Sequence, residues 1–201
     1  MSNPSCFKWY PQRDENPPDA VYDRVVIAGA LESAYDTDPW IARLMEQIQH
    51  WAKQEIPMLG ICFGHQLIAQ ALGGRVEKNP LGWELGSCKI SLTQEGREDY
   101  LFKTCPPTFY GMQSHQDAVM ELPPKAELLA QGPGCDIQAF RLGARIRGIQ
   151  FHPEFSVAAM REILLFFRGI FEENRLDIDR ILTNLAPCHV SVKTLQNFGL
   201  G

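Results

Sequence analysis

A chain of 201 residues has the length of one domain, or of one domain with an extension, and its 45% hydrophobic and 21% charged content is that of a globular protein with a real core. A net charge of -5 without a local basic cluster argues against nucleic acid or an anionic membrane as the main partner. The N-terminal stretch MSNPSCFKWYPQRDENPPD lacks the features of a signal peptide, and no segment reaches the roughly 18 apolar residues of a membrane span, so a cytoplasmic protein is expected.

Along the chain, Asp23 to Ala28 (DRVVIA) is a β-branched apolar run closed by Gly29, which predicts a buried strand and a tight loop. Asp38 and Pro39 form a helix start, with Ile41, Leu44, Met45, Ile48 and Trp51 following on one face. Pro57 to Ile61 predicts the next buried strand. Gly64 to Leu72 predicts the next helix, stopped by Gly73 and Gly74. This strand and helix rhythm implies a parallel sheet with helices on its faces. Beyond Gly74 the runs Glu84 to Leu92, Thr108 to Gln113, Glu127 to Ala130, Ile137 to Leu142 and Arg145 to Phe151 predict shorter strands, added antiparallel. A single apolar-faced helix is expected from Ser156 to about Arg175, then a helix at Ile178 to Leu185 and an irregular end.

Cys62 stands at the strand-to-helix junction in GICFGHQ, where Gly60, Cys62 and Gly64 fill the G-x-[nucleophile]-x-G elbow. The glycines allow a strained backbone at the nucleophile and close passage of strand and helix. A thiol at a helix N-terminus meets unpaired N–H groups and the positive end of the helix dipole, which favours thiolate. The same geometry aims the Phe63 N–H at an oxyanion. A lone cysteine after an apolar run is most often a buried filler thiol, but both glycines, the preceding strand and the following helix favour the nucleophile.

The balance shifts at GIQFHPEF, Gly148 to Phe155. A cysteine nucleophile needs a histidine to move its proton and a carboxylate to orient the histidine; His152 and Glu154 follow a predicted strand, with Pro153 keeping the backbone extended between them. His65 reads as a packing residue, and His50 and His189 as surface residues. Cys6, Cys88, Cys105, Cys135 and Cys188 read as inert free thiols, since widely spread cysteines without a C-x-x-C pair fit neither a disulfide frame nor a zinc site.

Together GICFGHQLIAQALGG and FHPE make the chain similar to the class I glutamine amidotransferases over about residues 20 to 170, and the spacing of Cys62 and His152 suits that family. VVIAGALESAYDTDPWI resembles its oxyanion-strand region, and QSHQDAV the segment beside its glutamine pocket. NPLGWELG looks most like the stand-alone branch that includes γ-glutamyl peptidases. The resemblance implies a flavodoxin-like three-layer α/β sandwich, with a mostly parallel central sheet plus antiparallel additions. It implies an amidotransferase-like domain at residues 1–175 and a helical tail at 176–201.

The same resemblance implies a catalytic triad of Cys62, His152 and Glu154 that forms a γ-glutamyl thioester. The Phe63 N–H and an N–H of the Gly29 to Ala30 turn would hold the oxyanion. Gln66, with backbone of Ser114 and His115, would bind glutamine or a γ-glutamyl peptide. No cofactor or metal is implied. Two departures stand out. Few residues precede Asp23, so SCFKWYPQ is read as the family's second strand with the first βα unit missing, which would leave an edge open to a homodimer contact or a less stable sheet. Second, AGAL (Ala28 to Leu31) replaces the usual S-G-G-P, and alanine tolerates positive φ less well than glycine.

The expected activity is hydrolysis of a γ-glutamyl amide, either of glutamine or of a γ-glutamyl peptide. No G-x-x-x-x-G-K phosphate loop is present, so any synthetase receiving the ammonia would be a separate chain. The competing reading is a regulatory module that keeps the elbow without turnover. An α/β-hydrolase is disfavoured because that family places its acid before its histidine.

Overall fold

The computed structural model describes residues 6–13, 17, 21–188 and 191–199. Its main sheet has seven strands in the order β1-β2-β9-β8-β7-β4-β5. These are β1 (Val25–Ile27), β2 (Met58–Ile61), β4 (Glu84–Leu92), β5 (Thr108–His115), β7 (Ala126–Gln131), β8 (Ala139–Leu142) and β9 (Ile146–Ile149). Two shorter strands, β3 (Arg75–Lys78) and β6 (Asp117–Glu121), pair antiparallel in a separate ribbon.

The sheet is mixed. β1, β2 and β9 run parallel, whereas β9-β8-β7-β4-β5 are joined antiparallel. All four residues of β2 and of β9 are buried, as expected where both faces of a strand are covered. Arg147 is tolerated in β9 because its guanidinium bonds the carboxylate of Asp99 at 2.9 Å and lies over the Tyr100 ring.

Helix α1 (Pro39–Lys53) starts with Pro39 at a position where its missing N–H costs nothing, and buries Trp40, Ile41, Leu44, Ile48 and Trp51. Each such side chain contributes about 1.5–3 kcal/mol of burial. This face packs with Phe63, Leu67 and Ile68 of helix α2 (Phe63–Ala71) and with Met58. The opposite side chains of β2, Leu59 and Ile61, pack with Leu101, Phe102, Phe109, Phe151 and Phe198. Further helices are α3 (Gln94–Glu98), α4 (Val157–Phe166), α5 (Arg168–Glu173), α6 (Ile178–Thr183) and α7 (Val192–Phe198). Leu195 and Phe198 of α7 join the second of these core clusters, so the C-terminal end carries a helix the sequence reading left irregular.

Three expectations change. The single helix from Ser156 is two, α4 and α5, divided at Phe167; the poor helix former Gly169 lies just beyond the break. Of SCFKWYPQ, residues 6–12 form no strand: Pro11–Arg13 make a 3-10 turn, and Trp9 packs edge-on against Trp51 of α1 at 6.2 Å. The aromatic ring draws this segment onto the helix layer instead of the sheet. β3 and β6 were missed because β3 is a polar ribbon with one buried residue, Val76. His189 falls outside the described residues.

Candidate active site

Three loops meet where three neighbouring parallel strands end. The registers Ile27↔Gly60 and Gly60↔Gly148 set the ends of β1, β2 and β9 side by side, so Gly29, Cys62 and His152 emerge at the same rim of the sheet. Cys62 follows the central strand of the three. A β-carbon added at Gly29 would stand 3.0 Å from His152 Cε1 and 3.8 Å from Cys62 Cβ. The turn bearing Gly29 therefore closes directly over both groups.

Cys62 has φ 52° and ψ −107°, a conformation that side chains rarely adopt. The surrounding backbone holds it there: its N–H donates to Ile149 O at 2.9 Å and its carbonyl accepts from the Gln66 N–H at 3.1 Å. The flanking glycines answer a steric demand. A methyl group at Gly60 would sit 2.6 Å from the His65 nitrogen, and one at Gly64 would be 2.7 Å from the carbonyl carbon of Ile27. Neither Gly29 nor Ala30 has positive φ, so alanine at position 30 carries no backbone penalty.

His152 is held from three sides. Its Nδ1–H donates to Glu154 Oε1 at 2.7 Å, its ring stacks on Phe155 at 4.1 Å between centroids, and its main-chain N–H donates to Met112 O at 2.8 Å. Burial of the ring works against its charge, but the neighbouring Cys62 sulfur and the hydrogen-bonded Glu154 carboxylate outweigh it, and the imidazole is pushed up to about 10. Cys62 Sγ also lies 4.0 Å from the Ser114 carbonyl oxygen. Burial pushes Cys88 and Cys135 up to about 12 and Cys105 up to about 11, which keeps these thiols protonated.

Behind the thiol lies a buried polar network. Gln66, 3% exposed, donates from Nε2 to Asp117 O at 2.8 Å and to Gln150 Oε1 at 3.1 Å. Its amide nitrogen is committed inward, so a substrate contact from this side chain falls to Oε1 or requires an exchange of partners. The His115 ring meets Asp117 O through Nδ1 at 2.8 Å and Glu84 Oε2 through Nε2 at 3.0 Å. Glu84 Oε2 also accepts from Gln138 Nε2 at 2.7 Å, and Gln113 Nε2 donates to Gln138 Oε1 at 2.6 Å.

The sequence reading named Gln66, Ser114 and His115 but not Glu84, Gln113, Gln138 or Gln150. The signal available for Glu84 was that it is the one carboxylate of the strand Glu84–Leu92. His65 is fully buried against Phe140, and desolvation pushes it down to about 3, so it stays neutral. His50 is exposed. Among the described residues no cluster of three His, Cys, Asp or Glu could hold a metal ion, and no helix is long and apolar enough to cross a membrane.

The model of the family "Glutamine amidotransferase class-I" matches residues 5–170. The chain belongs to the class I glutamine amidotransferases. Among solved structures this amidotransferase is similar to a glutamine amidotransferase of Thermotoga maritima, with TM-score 0.79 and 25% identity over 93% of this chain and 81% of that one. The flavodoxin-like α/β fold expected from the sequence is thereby confirmed. Among curated proteins it is 33% identical to gamma-glutamyl peptidase 5 of Arabidopsis thaliana over 145 residues, 71% of this chain. It is 40% identical to a glutamine-hydrolyzing GMP synthase component of Methanococcus vannielii over 112 residues, 55% of this chain. It spans 58% of the length of that peptidase and 57% of that synthase component.

Proposed function

We propose that this amidotransferase hydrolyses a γ-glutamyl amide through a thioester on Cys62. His152 holds the proton given up by the Cys62 thiol, and the sulfur attacks the γ-carbonyl carbon. The oxyanion is held by the N–H of Phe63 and an N–H of the Gly29 to Ala30 turn. His152, oriented by Glu154, returns the proton to the leaving nitrogen, which departs as the carbon–nitrogen bond breaks. Water then adds to the thioester, giving its proton to His152; the second tetrahedral adduct collapses as the carbon–sulfur bond breaks, releasing the γ-carboxylic acid, and His152 returns the proton to the Cys62 sulfur.

The observation that carries this reading is the convergence of Gly29, Cys62 and His152 at the ends of adjacent parallel strands, with Cys62 at positive φ. Supporting it are the ordered pair His152 and Glu154 and the burial that keeps Cys88 and Cys135 protonated. The peptidase relative favours a γ-glutamyl peptide as substrate, and the GMP synthase relative favours glutamine, with ammonia passed to a synthetase.

A product assay decides between them. Ammonia from glutamine and free amino acid from γ-glutamyl dipeptides are measured for the wild type, Cys62→Ala and His152→Ala. Either product is expected from the wild type alone. A folded wild type that yields neither supports the regulatory reading, and turnover by Cys62→Ala excludes the thioester route.

A further inference from the structure

The proposed oxyanion hole is assembled from two separately mounted donors. The Phe63 N–H belongs to the first turn of α2, whereas the Gly29 to Ala30 N–H belongs to the irregular segment between β1 and α1. Their spacing therefore depends on what ties that segment to α2.

Asp117 provides the tie. Its main-chain carbonyl accepts from Gln66 Nε2, one turn into α2, at 2.8 Å, and meets the His115 ring at the same distance. Its side-chain carboxylate faces the other way: Oδ2 accepts from Ser33 Oγ at 2.5 Å and Oδ1 from the Tyr35 hydroxyl at 2.9 Å. Ser33 and Tyr35 lie in a turn that closes on itself, with Ser33 N–H to Asp36 Oδ2 at 2.8 Å and Asp36 N–H to Ser33 O at 3.0 Å, while Ala34 is fully buried in the core beneath it. Only Leu31 and Glu32 separate this turn from Ala30. So short a link passes any displacement of Ser33 to the Ala30 amide.

We propose that Asp117 is a latch that fixes the distance between the two oxyanion donors, and that Ser33 and Tyr35 are positioning residues for the hydrolytic step. The inference rests on the γ-glutamyl hydrolase reading and adds residues to it. Ser33 and Tyr35 touch neither Cys62 nor the His152 and Glu154 pair in any hydrogen bond of the site. Their effect is on the stabilisation of the tetrahedral adduct, where misplacement of a donor by about 1 Å lowers rate by up to about 100-fold.

The test is the double variant Ser33→Ala/Tyr35→Phe, which leaves Asp117 and its main-chain bonds in place. Three quantities are compared with the wild type: kcat and KM for the γ-glutamyl substrate, the rate of Cys62 alkylation by iodoacetamide, and amide hydrogen exchange across residues 28–36. The expected result is a fall in kcat of about 10- to 100-fold with little change in KM. Alkylation should keep its rate, because displacement at a saturated carbon builds no oxyanion, and exchange at residues 28–36 should accelerate. An unchanged kcat overturns the proposal, as does a parallel loss of alkylation, which would mean that the site as a whole had collapsed. If the wild type turns over no γ-glutamyl substrate, the hydrolase reading fails on that result. Exchange then judges the latch by itself, and an unchanged pattern at residues 28–36 overturns it.

Discussion

The main-chain N–H of His152 donates to the carbonyl of Met112 at 2.8 Å, which joins the end of β9 to β5 although these strands stand at opposite ends of the run β9-β8-β7-β4-β5. The antiparallel half of the sheet thus curls back on the parallel half and meets it at the histidine. Ser114, two residues on from Met112, is brought to within 4.0 Å of the Cys62 sulfur by the same closure.

Gly111, next to that bridge, is the position at which to disturb it. A β-carbon there would lie 2.9 Å from Phe151 Cβ and 2.6 Å from Ile90 Cδ1, both buried. Gly111→Ala is expected to lower stability by about 1–3 kcal/mol through overpacking. Because Phe151 precedes His152, kcat should fall as well. Urea unfolding and steady-state kinetics on the variant check the two parts separately.

His152 offers a prediction about pH. Burial of its imidazole is outweighed by the neighbouring Cys62 sulfur and the Glu154 carboxylate, which push it up to about 10 from an ordinary 6.5. Since the folded value is raised, its contribution to stability is complete below about 6.5 and is lost as pH rises through about 10. Cys62→Ala removes one of the two partners, so the imidazole should titrate at lower pH in that variant. Histidine NMR titration of both proteins measures this directly.

Glu154→Ala leaves the Phe155 stack and the Met112 bond but removes the acceptor for Nδ1–H. A fall in kcat of about 100-fold is expected, the size typical of losing ordered acid-base catalysis. The variant should also be somewhat less stable near neutral pH, since one of the two groups that keep the imidazole charged is gone, but the loss should be small because the Glu154 side chain is 38% exposed.

Asp99 tests stability at the opposite end of β9. Its carboxylate is fully buried and bonds Arg147 at 2.9 and 3.3 Å and Arg141 at 3.3 Å. Asp99→Ala strands the buried Arg147 guanidinium and should cost about 3–5 kcal/mol in denaturant unfolding. Activity per folded molecule should be retained.

The elbow was legible in the sequence because its glycines answer local steric demands: backbone atoms of Ile27, Gly64 and His65 occupy the space a side chain would fill. The pair His152 and Glu154 was legible for a similar reason, being two residues apart on an extended segment. Elements with strong periodicity, such as α1 and β4, were found at nearly their observed bounds. What escaped depends on contacts between distant residues. The Met112 to His152 bridge, the bonds of Ser33 and Tyr35 to Asp117, and the Glu84, His115 and Gln138 network join segments that carry no shared period. The break at Phe167, beside Gly169, and the docking of Trp9 on Trp51 of α1 are likewise not resolved by the pattern of apolar positions.

The proposed thioester route requires that Cys62 carry the γ-glutamyl group during turnover. Acid-quenched intact-protein mass spectrometry during steady-state reaction with glutamine or a γ-glutamyl peptide, followed by peptide mapping, tests it most directly. One γ-glutamyl adduct is expected, on Cys62, that disappears when substrate is exhausted and is absent from Cys62→Ala. Turnover that persists in Cys62→Ala, or an adduct that maps to another residue, would contradict it.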